Sequence, residues 1–153
     1  HDSFLAPPDM DAAIRSFCRA TNQREPEGPP AMARCILESL AFSYRQTLDC
    51  LRGLTGKSLA RIHVVGGGSM NQTLCQFTAD ACGAPVVAGP KPATVLGNIL
   101  TQALGAGDLA TPEDIRRTVA ASTDLMEYGP SPDNGYWEER YGEYQHIDRA
   151  DAV

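Results

Sequence analysis

The sequence predicts an α/β fold, a short and mostly parallel sheet flanked by helices, and three observations predict it. Two β-branched runs, "RIHVVG" (61–66) and "APVVAGP" (84–90), each lead into a stretch with helical periodicity. Strand and helix alternate, which is the pattern of parallel strands joined by crossover helices. Glycine, proline or a capping residue marks nearly every junction.

The elements follow in order. "PPDMDAAIRSFCRATN" (7–22) predicts a helix from Asp9 to Thr21, capped by Asp9, with Ile14, Phe17 and Cys18 on its apolar side. "QREPEGPP" (23–30) is a polar, proline-rich loop. Residues 31–52 carry the strongest periodicity: Ala33, Ile36, Leu37, Leu40, Ala41, Tyr44, Leu48 and Leu51 form one stripe expected to be buried. Arg34/Glu38 and Arg45/Asp49 sit four apart on the side expected to be polar. Gly53 and Gly56 are expected to end this helix.

After the first strand, Ser69-Met70-Asn71-Gln72 has the form of a capping box, which predicts a helix with Ser69 as N-cap and Gly83 as stop. A helix broken by Gly97 is expected over 93–107. Thr111-Pro112-Glu113-Asp114 places a cap, a proline and two acids at the start of a helix running to Ser122. Residues 124–135 read as extended and then turning, and Trp137, Tyr141 and Tyr144 line one side of a last helix. The order is α-α-β-α-β-α-α-(β)-α. Two or three strands make a poor sheet, so the chain reads as the latter part of a domain, residues 1–153 forming a single-domain fragment whose first strands lie upstream.

Composition narrows the function. The 153 residues carry a net charge of −6 with scattered Arg, which argues against a nucleic-acid surface. No apolar run is long enough to span a membrane. Five cysteines with no C-x-x-C spacing read as reduced core or near-core thiols of a cytoplasmic protein. The three His lie far apart and have no Cys at ligand spacing, so no metal site is expected.

The densest signal is "HVVGGGSMNQTLCQF" (63–77). A strand leaving through Gly66-Gly67-Gly68 into a helix would bring bare main chain and free N–H groups to a helix N-terminus, which suits a phosphate or a flat base. With Ser69 as cap, the Asn71 amide would stay free to meet a nucleobase edge. The other reading is that the glycines only make a tight turn and that Asn71 is itself the cap.

"IHVVGGGSMNQTLCQFTADACGAPVVAGPKPATVLGNILTQALGAGDL" resembles the C-terminal nucleotide-binding region of the FGGY carbohydrate kinases, and within them the rhamnulokinase branch. The matching pieces are Ile62–Val65, Gly66–Ser69, Asn71, Ala79–Gly83, Val86–Ala88 and Gly89–Asn98. The run from Asp9 to Arg45 and the stretch near Ser122–Pro130 resemble the same branch. The resemblance implies a partial RNase H-like domain of the actin/hexokinase type and an ATP- and Mg2+-dependent transfer of phosphate to a ketose such as L-rhamnulose. It implies that Gly67 and Gly68 lie against the nucleotide and Asn71 faces the adenine, that residues 31–52 form the helix beside the adenine pocket, and that the catalytic Asp and the β- and γ-phosphate loops lie upstream. The implied partners are ATP, the sugar and the N-terminal half of the same kinase, with self-association of the fragment through its uncovered surface.

Other residues carry ordinary expectations. Lys91 is a solvated loop lysine, Asp80 lies on a solvated helix face, and Glu113 and Asp114 answer a helix dipole. Gly97 is a packing glycine that lets its helix approach a strand closely. Two rival functions stay open: a non-catalytic actin-like domain that binds a nucleotide or a protein, and a small α/β protein whose glycines are only a turn.

Overall fold

The computed structural model describes the backbone of residues 4–150 and the side chains of 4–147. Six helices and three strands follow in order: α1 (Met10–Ala20), α2 (Gly28–Thr55), β1 (Ile62–Val64), α3 (Gln72–Cys82), β2 (Val86–Ala88), α4 (Ala93–Ala106), α5 (Pro112–Ser122), β3 (Met126–Tyr128) and α6 (Gly135–Ala150), with a 3-10 turn, Gly66–Met70, between β1 and α3. No helix among the described residues is long and apolar enough to cross a membrane.

Local chemistry accounts for most of the boundaries. Asp9 accepts from the Ala12 N–H and opens α1. Pro29 and Pro30 suit the first turn of α2, where a missing N–H costs nothing. Gly56 closes α2 in the left-handed conformation (φ 64°), and Gly53 stays inside the helix. Thr111 and Asp114 cap each other's backbone reciprocally at the start of α5.

The sheet has the order β1–β2–β3. β1 and β2 are parallel, with Ile62 opposite Val86 and Val64 opposite Ala88, as the alternation predicts. β3 joins β2 antiparallel, Val86 facing Tyr128, so the sheet is mixed. The connection from β2 to β3 contains two helices, and the chain returns in the opposite direction. Gly89, at φ 109°, makes that return possible: a Cβ there would lie 3.2 Å from the Asp124 carbonyl oxygen.

α3 is the centre of the fold. Small side chains, Cys75 and Ala79, meet Val86 and Ala88 of the sheet. Ala81 meets Ala41 and Phe42 of α2 together with Trp137 and Tyr141 of α6. Cys82 packs with Leu48 and Ala84. Because these α3 side chains are small, α2 and the sheet both approach it closely.

Five expectations are corrected. The stripe on α2 is split: Ala41 and Leu48 are buried, but Ile36, Leu40, Tyr44 and Leu51 are between 39% and 45% exposed. The side expected to be polar faces α6 instead. Glu38, only 8% exposed, accepts from Arg34 Nε at 2.7 Å and from the Tyr136 hydroxyl at 2.8 Å. Arg45 pairs with Glu138 at 2.7 Å and lies 4.0 Å from the Tyr141 ring centroid. The aromatic rings of α6 have polar tips and electron-rich faces, and they draw charged partners to their side of α2.

Asp80 is likewise not solvated. It is 5% exposed and accepts from Ser131 N at 2.7 Å and Gln76 Nε2 at 3.0 Å, tying the loop after β3 to α3. Asp80→Ala is expected to lower stability by about 1.5–3 kcal/mol, measured by denaturant unfolding. Gly97 has nothing within 4 Å of a Cβ built on it, because α4 meets α5 rather than a strand. Cys50 is exposed on α2, whereas Cys18, Cys75 and Cys82 are buried.

Candidate nucleotide-facing corner

β1 sets the position of the corner by pairing with β2. The chain runs extended through Val65 (φ −119°, ψ 166°) and then winds into the 3-10 turn. Gly66 adopts φ 74°, where a side chain is strained, and its N–H donates to the Pro90 carbonyl oxygen at 3.2 Å. That bond ties the turn to the loop after β2.

The other two glycines have no such reason to be glycine. Neither has φ in the left-handed region. A Cβ at Gly68 would meet Val64 Cγ1 at 3.7 Å, an ordinary contact, and a Cβ at Gly67 would meet nothing within 4 Å. Glycine in place of alanine within a helical turn costs roughly 0.5–1 kcal/mol. The turn carries this cost twice, and no contact among the described residues requires it.

Asn71 is the N-cap of α3: its Oδ1 accepts from the Leu74 N–H at 3.0 Å. This corrects the expectation that Ser69 caps the helix. Residues Gly66–Met70 are already committed to the 3-10 turn, and Ser69 Oγ turns back to donate to the Gly66 carbonyl at 2.7 Å. The glycines therefore do not open α3, and the expected cradle of helix-terminal amides moves to Asn71. Capping uses the oxygen of the Asn71 amide and leaves its Nδ2 as a donor on an exposed residue.

Val65 and Met70 flank the turn and are 52% and 60% exposed. The corner thus joins two apolar side chains, a strip of bare main chain and an amide donor. Residues 65–71 include no acid, base or thiol. Such a surface can seat a flat group with a polar edge, and it cannot move a proton. Gly67, Gly68 and Asn71 come together on it as the spacing predicts. What sequence reasoning missed is the apolar flank; two exposed hydrophobics beside three glycines are visible in the sequence, but their exposure is not.

Comparison with known proteins places this corner in context. The model of the FGGY family of carbohydrate kinases, C-terminal domain, matches residues 2–106. That segment contains β1, the glycine turn, α3, β2 and α4. A rhamnulokinase from Bacteroides thetaiotaomicron is 45% identical over 140 residues, which cover 92% of this chain and 29% of that protein. The chain therefore spans under a third of the length of this relative.

Proposed function

This chain belongs to the FGGY family of carbohydrate kinases, and on that premise we propose that it is the nucleotide-facing, C-terminal part of a two-domain, ATP-dependent kinase whose acceptor is the 1-hydroxyl of L-rhamnulose or a related ketose. The domain has the RNase H-like, actin-type ATPase fold of the family. The name of the Bacteroides relative supports the choice of sugar.

The observation that carries the reading is Gly67. Its bare main chain faces open space at an energetic cost that the fold itself does not explain. A nucleotide lying against Gly67 and Gly68 supplies the reason, since a side chain there would stand where the base and ribose pass. Asn71 Nδ2 then donates to the adenine edge, while Val65 and Met70 offer apolar contact to the ring. Mg·ATP brings the phosphoryl group and the charge neutralisation that its transfer needs. The residues of the corner bind and orient. The base that takes the sugar proton, and the loops that hold the β- and γ-phosphates and Mg2+, belong to the part of the kinase outside these 153 residues. Closure of the two domains keeps water from competing as acceptor, and a cytoplasmic location, where ATP is at hand, goes with this reading.

The uncovered apolar surface supports the same reading. Ile36, Leu40, Tyr44 and Leu51 run along one face of α2, and Val95 and Ile99 of α4 are 58% and 56% exposed. β1 lies at the edge of the sheet, with no strand on its outer side among the described residues. Upstream strands and helices of the same polypeptide complete the domain on these faces, and without them the isolated chain associates with itself through the same surface.

Asn71 separates capping from recognition. In the complete kinase, Asn71→Asp keeps the cap, so the melting midpoint holds, but loses the amide donor, so the KM for ATP rises several-fold. Asn71→Ala loses both and lowers stability by about 1 kcal/mol. An ATP KM unchanged in Asn71→Asp would remove Asn71 from the site.

The whole reading is tested by phosphorylation assays. The complete protein with Mg·ATP is expected to phosphorylate L-rhamnulose or a related ketose, and residues 1–153 alone are expected to phosphorylate none. Sugar phosphorylation by the isolated chain would overturn the division of labour. A complete protein that binds ATP and phosphorylates no ketose would establish the non-catalytic actin-like alternative.

A further inference from the structure

The chain enters α6 through Asp133-Asn134-Gly135, and Asn134 is set apart from the other three asparagines. Asn71 is fixed as a cap, its Oδ1 accepting from the Leu74 N–H at 3.0 Å. Asn98 lies inside α4 and is followed by the β-branched Ile99, and Asn22 is followed by Gln23. Asn134 is followed by a glycine, and its Oδ1 is buried with no hydrogen-bond partner among the described residues. Its Nδ2 reaches Glu138 Oε1 only at 3.5 Å, the outer limit of a hydrogen bond. Gly135 is exposed, and no Cβ shields its main-chain nitrogen. That N–H donates to Asp133 Oδ1 at 3.2 Å.

We propose that Asn134 is a site of spontaneous covalent modification, in which the Gly135 nitrogen closes onto the Asn134 side-chain amide and leaves aspartate or isoaspartate at position 134, with Asp133 as the restraint on its rate. Hydroxide from the solvent removes the Gly135 amide proton. The nitrogen attacks Asn134 Cγ, a C–N bond forms and the Cγ–Nδ2 bond breaks, and Nδ2 leaves as ammonia with a proton from water. Water then adds to one of the two carbonyl carbons of the five-membered imide. Opening at Cγ gives aspartate, and opening at the main-chain carbon gives isoaspartate, in which the chain runs through the former side chain. One amide and one water become one carboxylic acid and one ammonia, and nothing is oxidised or reduced. Asp133 slows the first step, because a negative charge beside the amide opposes loss of its proton.

The two products act differently on the fold. Aspartate places a negative charge at a helix N-terminus, which the helix dipole favours. Isoaspartate lengthens the main chain where the Glu138 N–H donates to the Asn134 carbonyl oxygen at 3.1 Å, the bond that closes the first turn of α6. Two ties between α6 and α2 start from that turn: the Tyr136 hydroxyl on Glu38 at 2.8 Å and Glu138 on Arg45 at 2.7 Å. Isoaspartate therefore loosens the end of α6 that carries Tyr136, Trp137 and Glu138.

The test incubates the complete protein in warm, mildly alkaline buffer and follows the tryptic peptide 118–140, in which Asn134 is the sole asparagine. That peptide is expected to gain the mass difference between an amide and an acid and to split into aspartate and isoaspartate forms, while the peptides bearing Asn22, Asn71 and Asn98 stay unmodified over the same time. Asp133→Ala is expected to speed the conversion by about two- to fivefold, the weight of one exposed charge. Gly135→Ala is expected to suppress it, since the added methyl shields the nitrogen; its Cβ would meet Asp133 Oδ1 at 3.5 Å, an ordinary contact, so this variant folds. Hydrogen exchange over 136–144 is expected to quicken in the isoaspartate form and to stay at the parent rate in Asn134→Asp. An intact Asn134 after the free peptide of the same sequence has converted, or equal conversion at the other three asparagines, would overturn the proposal. An unchanged rate in Asp133→Ala would remove the restraint assigned to Asp133. None of these outcomes bears on the kinase reading, which is read from phosphorylation assays.

Discussion

Gly67→Val in the complete kinase is expected to raise the KM for ATP by about 10–100-fold, a loss of roughly 1.4–2.7 kcal/mol of binding, while the KM for the ketose changes by less than about twofold. The asymmetry follows from where the new atoms go. A Cβ at position 67 meets nothing of the protein within 4 Å and the backbone there is not left-handed, so the fold accepts valine without strain. The added methyls project into the space assigned to the nucleotide. Steady-state kinetics with each substrate varied in turn check this, together with a thermal melt showing that the variant is folded. An unchanged ATP KM would remove the nucleotide from this corner. The neighbouring Gly66→Val serves as a contrast: at φ 74° the side chain is strained, so that variant is expected to lose stability as well as affinity.

Phe42→Ala is expected to destabilise the isolated chain by about 3–5 kcal/mol, a large share of the 5–15 kcal/mol typical of a domain. Phe42 is 5% exposed and its ring centroid lies 5.6 Å from Trp137, 5.9 Å from Tyr141 and 5.6 Å from Tyr144. It joins α2 to α6 through a cluster that also includes Ala41 and Ala81, and α6 cannot move inward to fill the hole while Arg45 bridges Glu138 and the Tyr141 ring. Denaturant unfolding checks the value. Leu54→Ala, at a residue 79% exposed near the end of α2, is expected to stay within about 0.5 kcal/mol of the parent. Equal effects at the two positions would show that the α2–α6 cluster does not carry the fold.

The element order was legible because its signals are local. Asp9, the Thr111-Pro112-Glu113-Asp114 start and Gly83 each act within a few residues, and the two β-branched runs pair in parallel as their alternation with helices implies. The glycine corner was legible for the same reason: Gly67, Gly68 and Asn71 are near neighbours in sequence, so the chain cannot separate them. The resemblance to the family rested on this continuous stretch, and the matching family segment, residues 2–106, contains it.

The illegible part turned on partners far away in sequence. Periodicity shows that a helix has an apolar stripe and says nothing about which neighbour covers it. On α2 the aliphatic stripe that looks most buried is partly open, and the charged residues Glu38 and Arg45 face inward because Tyr136, Tyr141 and Glu138 arrive from the other end of the chain. Asp80 is buried for a similar reason, its hydrogen bond to Ser131 N spanning 51 positions. The cap of α3 was decided more subtly. Both Ser69 and Asn71 satisfy the local rule, and the choice fell to Asn71 because the 3-10 turn, tied to the loop after β2 by the Gly66 N–H, uses up the residues before it.

By itself, then, the sequence determined the succession of helices and strands, the parallel β1–β2 pair and the bare main chain at Gly67, since each depends on dihedral preference, capping or side-chain absence within one or two turns. Only the tertiary structure decided which face of α2 is covered, that β3 returns antiparallel and that Asp80 is buried against Ser131. Those outcomes depend on chain segments brought together in space, and burial is a property of what surrounds a residue rather than of the residue.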